Sequence, residues 1–180
     1  MKRSLCLLLP LLCLLSAVRA QYTFEGELTY QASSFGIKST YTEWHKRGDV
    51  AAGRPMSSEI IVYKASEDKL YTLKDEVSAP KEETLQNIVV GTAQETVKGR
   101  QCVKVTYEMK TQKSVIYREE WVDPSVDAPY HYGHIPGLTR GIVVKQTQKI
   151  TGKGHPAIKT TSTLQTIHRT TVPSSRFALK

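Results

Sequence analysis

The sequence predicts a mainly β fold: a curved antiparallel sheet, open as a half-barrel, with one or two short helices or a loop lid. Two observations favour this fold. Apolar and polar residues alternate over most of the chain, which also contains nine tyrosines, as expected of strands with one buried face. Short segments rich in Gly, Pro and Asp separate these runs, and no long helical period intervenes. Neighbouring strands joined by short turns form a meander.

We interpret residues 1–20 as a secretory signal peptide. Lys2 and Arg3 precede an apolar stretch, and small residues lead to Ala20. This stretch is too short for a transmembrane helix and has the wrong flanking residues for one. We therefore expect export to the periplasm or beyond, with cleavage near Ala20, and a single β-rich domain over residues 21–180.

Nine segments of the mature chain have the composition and alternation of strands. In the first of them, Phe24, Leu28 and Tyr30 fall on one face. Short Gly-containing segments, such as Arg47-Gly48-Asp49 and Gly99-Arg100, separate several of the predicted strands and predict tight turns. The predicted strands are 22–30, 37–46, 59–64, 69–73, 92–98, 101–110, 114–122, 141–150 and 158–168.

Charge is distributed unevenly along the chain. Residues 21–127 contain 14 Lys or Arg and 17 Asp or Glu, whereas residues 128–180 contain 8 Lys or Arg and no acidic residue. Such asymmetry indicates either an anionic partner for the C-terminal part or solvated lysines that balance acids from the first half. An exported protein with few aromatic residues in its basic segment is not expected to bind nucleic acid. The candidates for an anionic surface are Arg140, Lys145, Lys149, Lys153 and Lys159.

Residues 131–141, HYGHIPGLTRG, contain the best candidates for a metal site. His131 and His134 would need a third ligand, for which Asp127 or His155 is available. Gly133 and Pro136 argue against the helix that would bring two such histidines together. A metal-dependent hydrolase is therefore the least favoured of three hypotheses, and we predict no cofactor, no metal and no enzymatic activity. Cys102, the one cysteine left after signal cleavage, is expected to be buried and inert.

A curved single sheet leaves one face without a second sheet to cover it. Amphipathic rings on that face would line an apolar groove, although each ring taken alone is more typical of an ordinary core. The groove candidates are Tyr30, Trp44, Tyr63, Tyr71, Tyr107, Tyr117, Trp121 and Leu138.

Several short sequence motifs follow one another along the chain in a characteristic order. They are FEGELTY at 24–30, VKGRQC at 97–102, EWVD at 120–123, IPGL at 135–138 and a terminal Phe177. In this order the chain is similar, over residues 22–178, to an uncharacterised family of exported bacterial proteins related to the lipoprotein carriers LolA and LolB. The resemblance implies an open, strongly curved sheet whose concave face is covered by short helices and holds acyl chains. Residues 74–88, with Ser78 at the start of a short helix or of a lid-like loop, would supply the cover.

Two functional hypotheses therefore lead. The first is an exported, non-enzymatic carrier-like protein that holds a lipid, an acyl chain or another apolar molecule and meets an anionic membrane surface. The second is a structural or interaction module of the cell envelope that binds an anionic polymer or a protein partner. The sequence leaves the oligomeric state open.

Overall fold

The computed structural model describes residues 22–53, 59–73, 77–78, 85–110, 114–130, 135–152 and 155–179. These residues form eleven strands and one short 3-10 helix, Ser174–Phe177. The strands are β1 (Glu25–Ser34), β2 (Ile37–Lys46), β3 (Asp49–Gly53), β4 (Ile60–Lys64), β5 (Lys69–Leu73), β6 (Val77–Ser78), β7 (Leu85–Val97), β8 (Arg100–Lys110), β9 (Ser114–Asp123), β10 (Ile142–Gly152) and β11 (His155–Arg169). The predicted signal peptide, residues 1–20, lies outside the described residues. No helix in the described part of the chain has both the length and the apolar character needed to span a bilayer.

All eleven strands belong to one antiparallel sheet. Its order is β6-β5-β4-β3-β2-β1-β11-β10-β9-β8-β7, so each strand lies beside its neighbour in sequence except where β1 meets β11. Along that seam Gly26 is opposite Arg169 and Ser34 is opposite Thr160. Strands β6 and β7 form the two edges, and the described residues contain no pairing that closes them into a barrel. The predicted open antiparallel meander is confirmed.

The sheet is strongly curved. Lys98 and Arg100, at the β7–β8 turn, line the same cleft of about 260 Å³ as Leu164 and Thr166 of β11. In a flat sheet β8 and β11 would lie three strand spacings, or about 14 Å, apart. Side chains from both strands can share so small a cleft because the sheet curls.

Strand alternation gives the sheet two distinct faces, which we call inner and outer. On β1 the inner face has Leu28, Tyr30 and Ala32, all buried, whereas intervening residues such as Thr29 point outward. Three core clusters result. One surrounds the inner side of β1, and the second lies under residues 135–138 on β8 and β9. The third lies on the outer face, where Val172 and Phe177 pack against β3 and β4.

Three hairpins turn through two residues each. The turns are Phe35-Gly36, Arg47-Gly48 and Lys98-Gly99, and every one of these residues has a positive φ. Positive φ at both central residues is the type I′ geometry, which matches the right-handed twist of the flanking strands. The predicted turn at 47–49 is confirmed, and Asp49 there accepts hydrogen bonds from Ala65 N and Lys64 Nζ.

Two parts of the predicted fold are wrong. Strand β3 was missed because its alanines and glycine have weak β propensity, and it forms because Ala51 is buried in the outer cluster. A covering lid is predicted at residues 74–88, but the described residues of that range do not form one. Ser78 belongs to β6, and residues 85–88 begin β7, since Leu85 and Ile88 pack against the second cluster as strand residues. Residues 74–76 and 79–84 lie outside the described part. The described 3-10 helix lies on the outer face, not over the groove.

Candidate binding site on the inner face

Residues 124–130 and 135–141, the described parts of the loop between β9 and β10, fold down onto the inner face. Tyr130 N donates to Thr139 O at 3.1 Å and Gly141 N donates to Ala128 O at 2.8 Å, so these two segments pair with each other. A turn brings Leu138 N to 3.1 Å from Ile135 O, and Gly137 supplies the positive φ that this turn requires. As a result, part of the inner face is covered by the chain itself.

Two carboxylates fix the base of this loop. Asp127 Oδ2 accepts from Thr23 N at 3.0 Å and Thr23 Oγ1 at 2.8 Å, while Asp127 Oδ1 pairs with Arg140 at 3.1 Å. Asp123 accepts from Ser125 and pairs with Arg100 Nη1 at 2.7 Å. Burial alone would raise the pKa of Asp123, but hydrogen bonds from Ser125 and Arg100 outweigh it and lower that pKa.

A buried carboxylate joins the loop to the sheet. Glu120, on the inner face of β9, accepts hydrogen bonds from Tyr107 Oη at 2.9 Å and from Tyr130 Oη at 2.6 Å. Burial first, and then the negative charge of Glu120, raise the pKa of both tyrosines well above its ordinary value. Arg118 donates to Tyr107 Oη at 3.3 Å and to Gln148 Oε1 at 2.9 Å. This network fixes Tyr130, and with it the loop, over β8 and β9.

Strand register sorts the middle of the inner face into rows that run across the sheet. Two adjacent rows are mainly polar, and we call them the polar belt. Its rows are Ser39, Ala32, Ser162, Gln146 and Glu120, then Ser34, Thr160, Gln148 and Arg118.

The next row, away from the loop, is entirely apolar, and we call it the lower apolar row. It consists of Ile158, Ile150, Ile116 and Met109, each directly opposite the next. Met109 is a buried member of the second cluster and Ile116 packs against that cluster, whereas Ile150 and Ile158 are half-buried and belong to none of the clusters formed by the described residues. The uncovered part of the inner face is thus polar in the middle and apolar at one end.

Two exposed apolar side chains lie at that same end of the sheet. Phe35, in the β1–β2 turn, is 73% exposed, and Ile37, which follows the turn, is 62% exposed. Ile37 is opposite Ser34, which in turn is opposite Thr160, two residues after Ile158. Phe35 has φ 51, a conformation that is uncommon for a bulky residue and is normally taken by Asn, Asp or Gly in such a turn.

The register separates the predicted groove residues. Tyr30, Tyr63 and Tyr107 are on the inner face, and Leu138 packs there from the loop. Pleat parity puts the other four on the outer face: Trp44, Tyr71, Tyr117 and Trp121. Trp121 also packs against the first cluster. There Trp44 is covered by Arg176, at 4.6 Å, and Trp121 lies under Lys104 and Lys145, at 5.2 and 4.5 Å. Tyr30, Tyr107 and Leu138 lie in core clusters.

The predicted basic residues also have different surroundings. Arg140 pairs with Asp127, and Lys145 covers the Trp121 ring. Lys149 and Lys159 are directly opposite each other on the outer face of β10 and β11, and both are exposed. Like charges in such positions repel. Lys153 lies outside the described residues.

The predicted metal ligands His131 and His134 also lie outside the described residues. Within the described ranges, no three His, Cys, Asp or Glu side chains are grouped so that they could hold a metal ion. Cys102 is buried, and burial raises the pKa of its thiol to about 11. The hydrogen-bond network of Glu120 was not predicted from the sequence, because Glu119-Glu120 has the pattern of two surface charges on opposite faces of a strand. Phe35 was missed too, although a Phe-Gly pair between two alternating runs was a readable signal.

Comparison with known proteins gives one structural match to report. No protein-family model matches the sequence, and no curated protein matches it. Among solved structures, a LolA superfamily protein from Nitrosomonas europaea is similar, with 11% identity over 88% of this chain and 90% of that chain, at a TM-score of 0.32. A likeness at this identity and TM-score assigns neither a fold nor a function, and the strand order described above rests on the strand pairing alone. Membership of the uncharacterised exported family stays a prediction.

Proposed function

We propose that this chain is an exported, non-enzymatic binding protein that holds an acyl chain or another apolar ligand on the inner face of its half-barrel. The observation that carries the proposal is the lower apolar row, which lies beside the exposed Phe35 and Ile37 at one end of the sheet. Exposed contiguous apolar surface on a monomer commonly marks a ligand or interaction site.

The position of Phe35 supports the same conclusion. A bulky residue at φ 51 is strained, and its exposed ring recovers little burial energy in return. An Asn at position 35 would adopt the positive φ of this turn more readily than Phe, and its exposed side chain would be more soluble in water. An aromatic side chain in this position is explained if it contacts a ligand at the entrance to the apolar row.

The proposal is tested with Phe35→Asn. The variant should fold at least as stably as the parent, gaining up to about 1 kcal/mol from the better turn residue, yet bind a fluorescent fatty-acid probe about five- to tenfold more weakly because an apolar contact is lost. Thermal unfolding and probe titration measure the two effects. The matched control is Val89→Thr, which removes an exposed apolar side chain, 61% accessible, from the outer face of β7.

Gentle purification followed by native mass spectrometry supplies an independent measurement. A co-purifying lipid on the parent protein, lost or depleted in Phe35→Asn, is expected. If the parent neither retains a lipid nor binds the probe, the apolar-ligand function is wrong. N-terminal sequencing of the exported protein checks the predicted cleavage near Ala20.

A second candidate function is a cell-envelope module that binds an anionic polymer or a protein partner. The observation that favours it is the directly opposed pair Lys149 and Lys159, because an anion between two repelling ammonium groups would relieve the repulsion.

A further inference from the structure

The sheet splits at one end between β10 and β11. The register that joins the two strands begins at Lys145 and Thr163, and beyond Thr163 the strand β11 continues to Arg169 with β1 as its only described partner. Pairing irregularities mark the same place, because Val144 is an extra residue relative to β9 and Gln165 is an extra residue relative to β1. A bulge bends its strand and interrupts the ladder, so β10 and β11 separate here.

The split contains the cleft of about 260 Å³ described above. Val144 and Leu164, both buried, and the half-buried Ile167 supply its apolar lining. Gln165 and Thr166, both exposed, line it with polar side chains. The cleft is smaller than the 300–1,000 Å³ that is typical of pockets for drug-sized molecules, so it fits only a short segment of a larger ligand.

One wall of this cleft is a strand edge that no described strand covers. In an antiparallel strand, alternate residues direct their N–H and C=O groups to opposite sides. Along residues 164–168 every second residue therefore presents both groups toward the β10 side, where the described ladder has ended. We call residues 164–168 the open edge. Such an edge is a template for a further strand, and from Leu164 to Ile167 it spans about 10 Å, the length of about three residues.

Two cations line the cleft from the β7–β8 turn. They are Lys98 and Arg100, and no described acidic residue lines it with them. Arg100 Nη1 pairs with the buried Asp123 carboxylate at 2.7 Å, which balances one positive charge and leaves the other guanidinium N–H groups available. Among the described residues, the Lys98 ammonium has no hydrogen-bond or ion-pair partner. Its charge is uncompensated, so the cleft attracts a negatively charged group.

We propose that this cleft binds an extended peptide segment that carries a carboxylate. The peptide backbone pairs with the open edge over about three residues, and the carboxylate contacts Lys98 and Arg100. A peptide backbone supplies both donors and acceptors to an edge that presents both, which a simple anion does not. The cleft and Ile158 of the lower apolar row lie at opposite ends of β11, so the inference goes beyond the proposed function and does not depend on it.

Fluorescence anisotropy of labelled pentapeptides, titrated with the full mature protein, tests the proposal. Thr-Val-Glu-Val-Thr amide should bind with a Kd below about 1 mM. The same peptide with Gln in place of Glu should bind about tenfold more weakly, because the contact with the two cations is lost. A third peptide keeps the Glu but is methylated on its three central backbone nitrogens. It should bind at least about tenfold more weakly than the first, because the strand hydrogen bonds cannot form.

Two variants at exposed positions locate the site. Lys98→Gln should weaken binding of the Glu peptide about threefold, and Lys110→Gln, exposed at the other end of β8, is its matched control. Thr166→Glu puts a negative charge into the cleft and should weaken the Glu peptide about tenfold. Thr166→Gln, which has the same bulk without the charge, is the control for that change. Melting temperatures of all four variants should match that of the parent, since both cleft positions are exposed.

Each contrary result overturns a defined part of the proposal. Equal affinities of the parent for the Glu and Gln peptides overturn the acidic ligand. Undiminished binding of the methylated peptide, or displacement of the Glu peptide by acetate or phosphate at about 1 mM, means that the cleft holds a free anion and overturns strand addition. Equal weakening by Lys98→Gln and Lys110→Gln overturns the location. If the parent binds none of the peptides, the proposal fails, while binding of the fatty-acid probe still tests the proposed function separately.

Discussion

Glu120 shows how one buried side chain positions a whole loop. Its two phenolic partners come from different parts of the chain: Tyr107 from β8 and Tyr130 from the 124–141 loop. Because hydrogen bonds to a carboxylate are stronger than those between neutral groups, this contact holds the loop in place beyond what apolar packing of Ile135 and Leu138 supplies. The sequence does not reveal this role of Glu120. Two adjacent glutamates are typical of an exposed strand, and the burial of Glu120 depends on which face of β9 points inward.

Tyr130→Phe should destabilise the protein by about 1.5–3 kcal/mol. The change removes one hydrogen bond to a buried carboxylate without creating a cavity. Tyr117→Phe, whose hydroxyl is exposed and makes only a long contact of 3.4 Å to Glu119, should change stability by less than about 0.5 kcal/mol. Urea unfolding of the two variants measures the difference, and equal effects would mean that the Tyr130 hydroxyl contributes nothing to stability.

Asp123 gives the protein a predictable response to acid. Its pKa is lowered in the folded state, so the carboxylate stabilises the fold above the unfolded value of about 3.9. That contribution is lost as the pH falls through the lower folded pKa. Asp123→Asn should cost about 2 kcal/mol at pH 7 and flatten the decline of stability below pH 4. Unfolding free energies measured from pH 2 to 7 test this, and parallel curves for parent and variant would contradict it.

At the scale of elements, the outer face of β3 and β4 is covered by the C-terminal segment. Val172 N donates to Glu25 Oε1 at 2.9 Å, Lys46 Nζ donates to Val172 O at 2.7 Å, and Phe177 is buried against Val62 and Ala51. In the sequence, Phe177 was noted only as the last motif of the family resemblance. The sequence could not predict the packing, because a single aromatic residue after the last strand has no period from which to read a face.

Phe177→Ala should destabilise the protein by about 3 kcal/mol, since it empties most of a buried aromatic position. Val89→Ala, an exposed apolar truncation, should cost less than about 0.5 kcal/mol. Limited proteolysis followed by mass spectrometry should then show new cleavage between residues 170 and 179 in Phe177→Ala alone. Protection of this segment in the variant would mean that other contacts are sufficient to hold it.

Much of the element pattern was predictable, for identifiable reasons. Alternation placed β2, β8 and β9 within one residue, and Gly-containing turns placed the hairpins at Arg47-Gly48 and Lys98-Gly99, because both signals are local. Four of the eight groove candidates, among them Trp44 and Tyr71, lie on the outer face by pleat parity. The sequence shows which residues of a strand share a face, but it does not show which of the two faces is the inner one. Strand pairing across the β1–β11 seam decides which face is inner.

For the molecule as a whole, the uneven charge along the chain becomes an uneven surface. Strands β10 and β11 carry Lys145, Lys149 and Lys159 on the outer face and contain no acidic residue, whereas the outer faces of the neighbouring strands β8 and β9 include Glu108 and Glu119. A basic outer surface attracts anionic lipid headgroups over about 8 Å at physiological salt. The net charge of each half was readable from the sequence, but which lysines remain exposed and opposed to one another depends on strand register.

The variant Lys149→Gln/Lys159→Gln should bind vesicles containing anionic lipid about ten- to thirtyfold more weakly than the parent at low salt, at about 1 kcal/mol for each lysine near the surface. The charge-matched control is Lys38→Gln/Lys69→Gln, which changes exposed lysines on other strands. Cosedimentation at two salt concentrations measures the effect. Equal binding by the two double variants would show a response to net charge alone, without a site on β10 and β11.

The pairing of the first strand with the last also affects how the protein is made. Gly26 meets Arg169 across the seam, so the two halves of the sheet cannot join until nearly the whole chain has been synthesised. Contacts between residues so distant in sequence form slowly. For a chain exported as proposed, that delay keeps the sheet incomplete during translocation. The β1–β11 seam therefore also sets the earliest time at which the sheet can be completed.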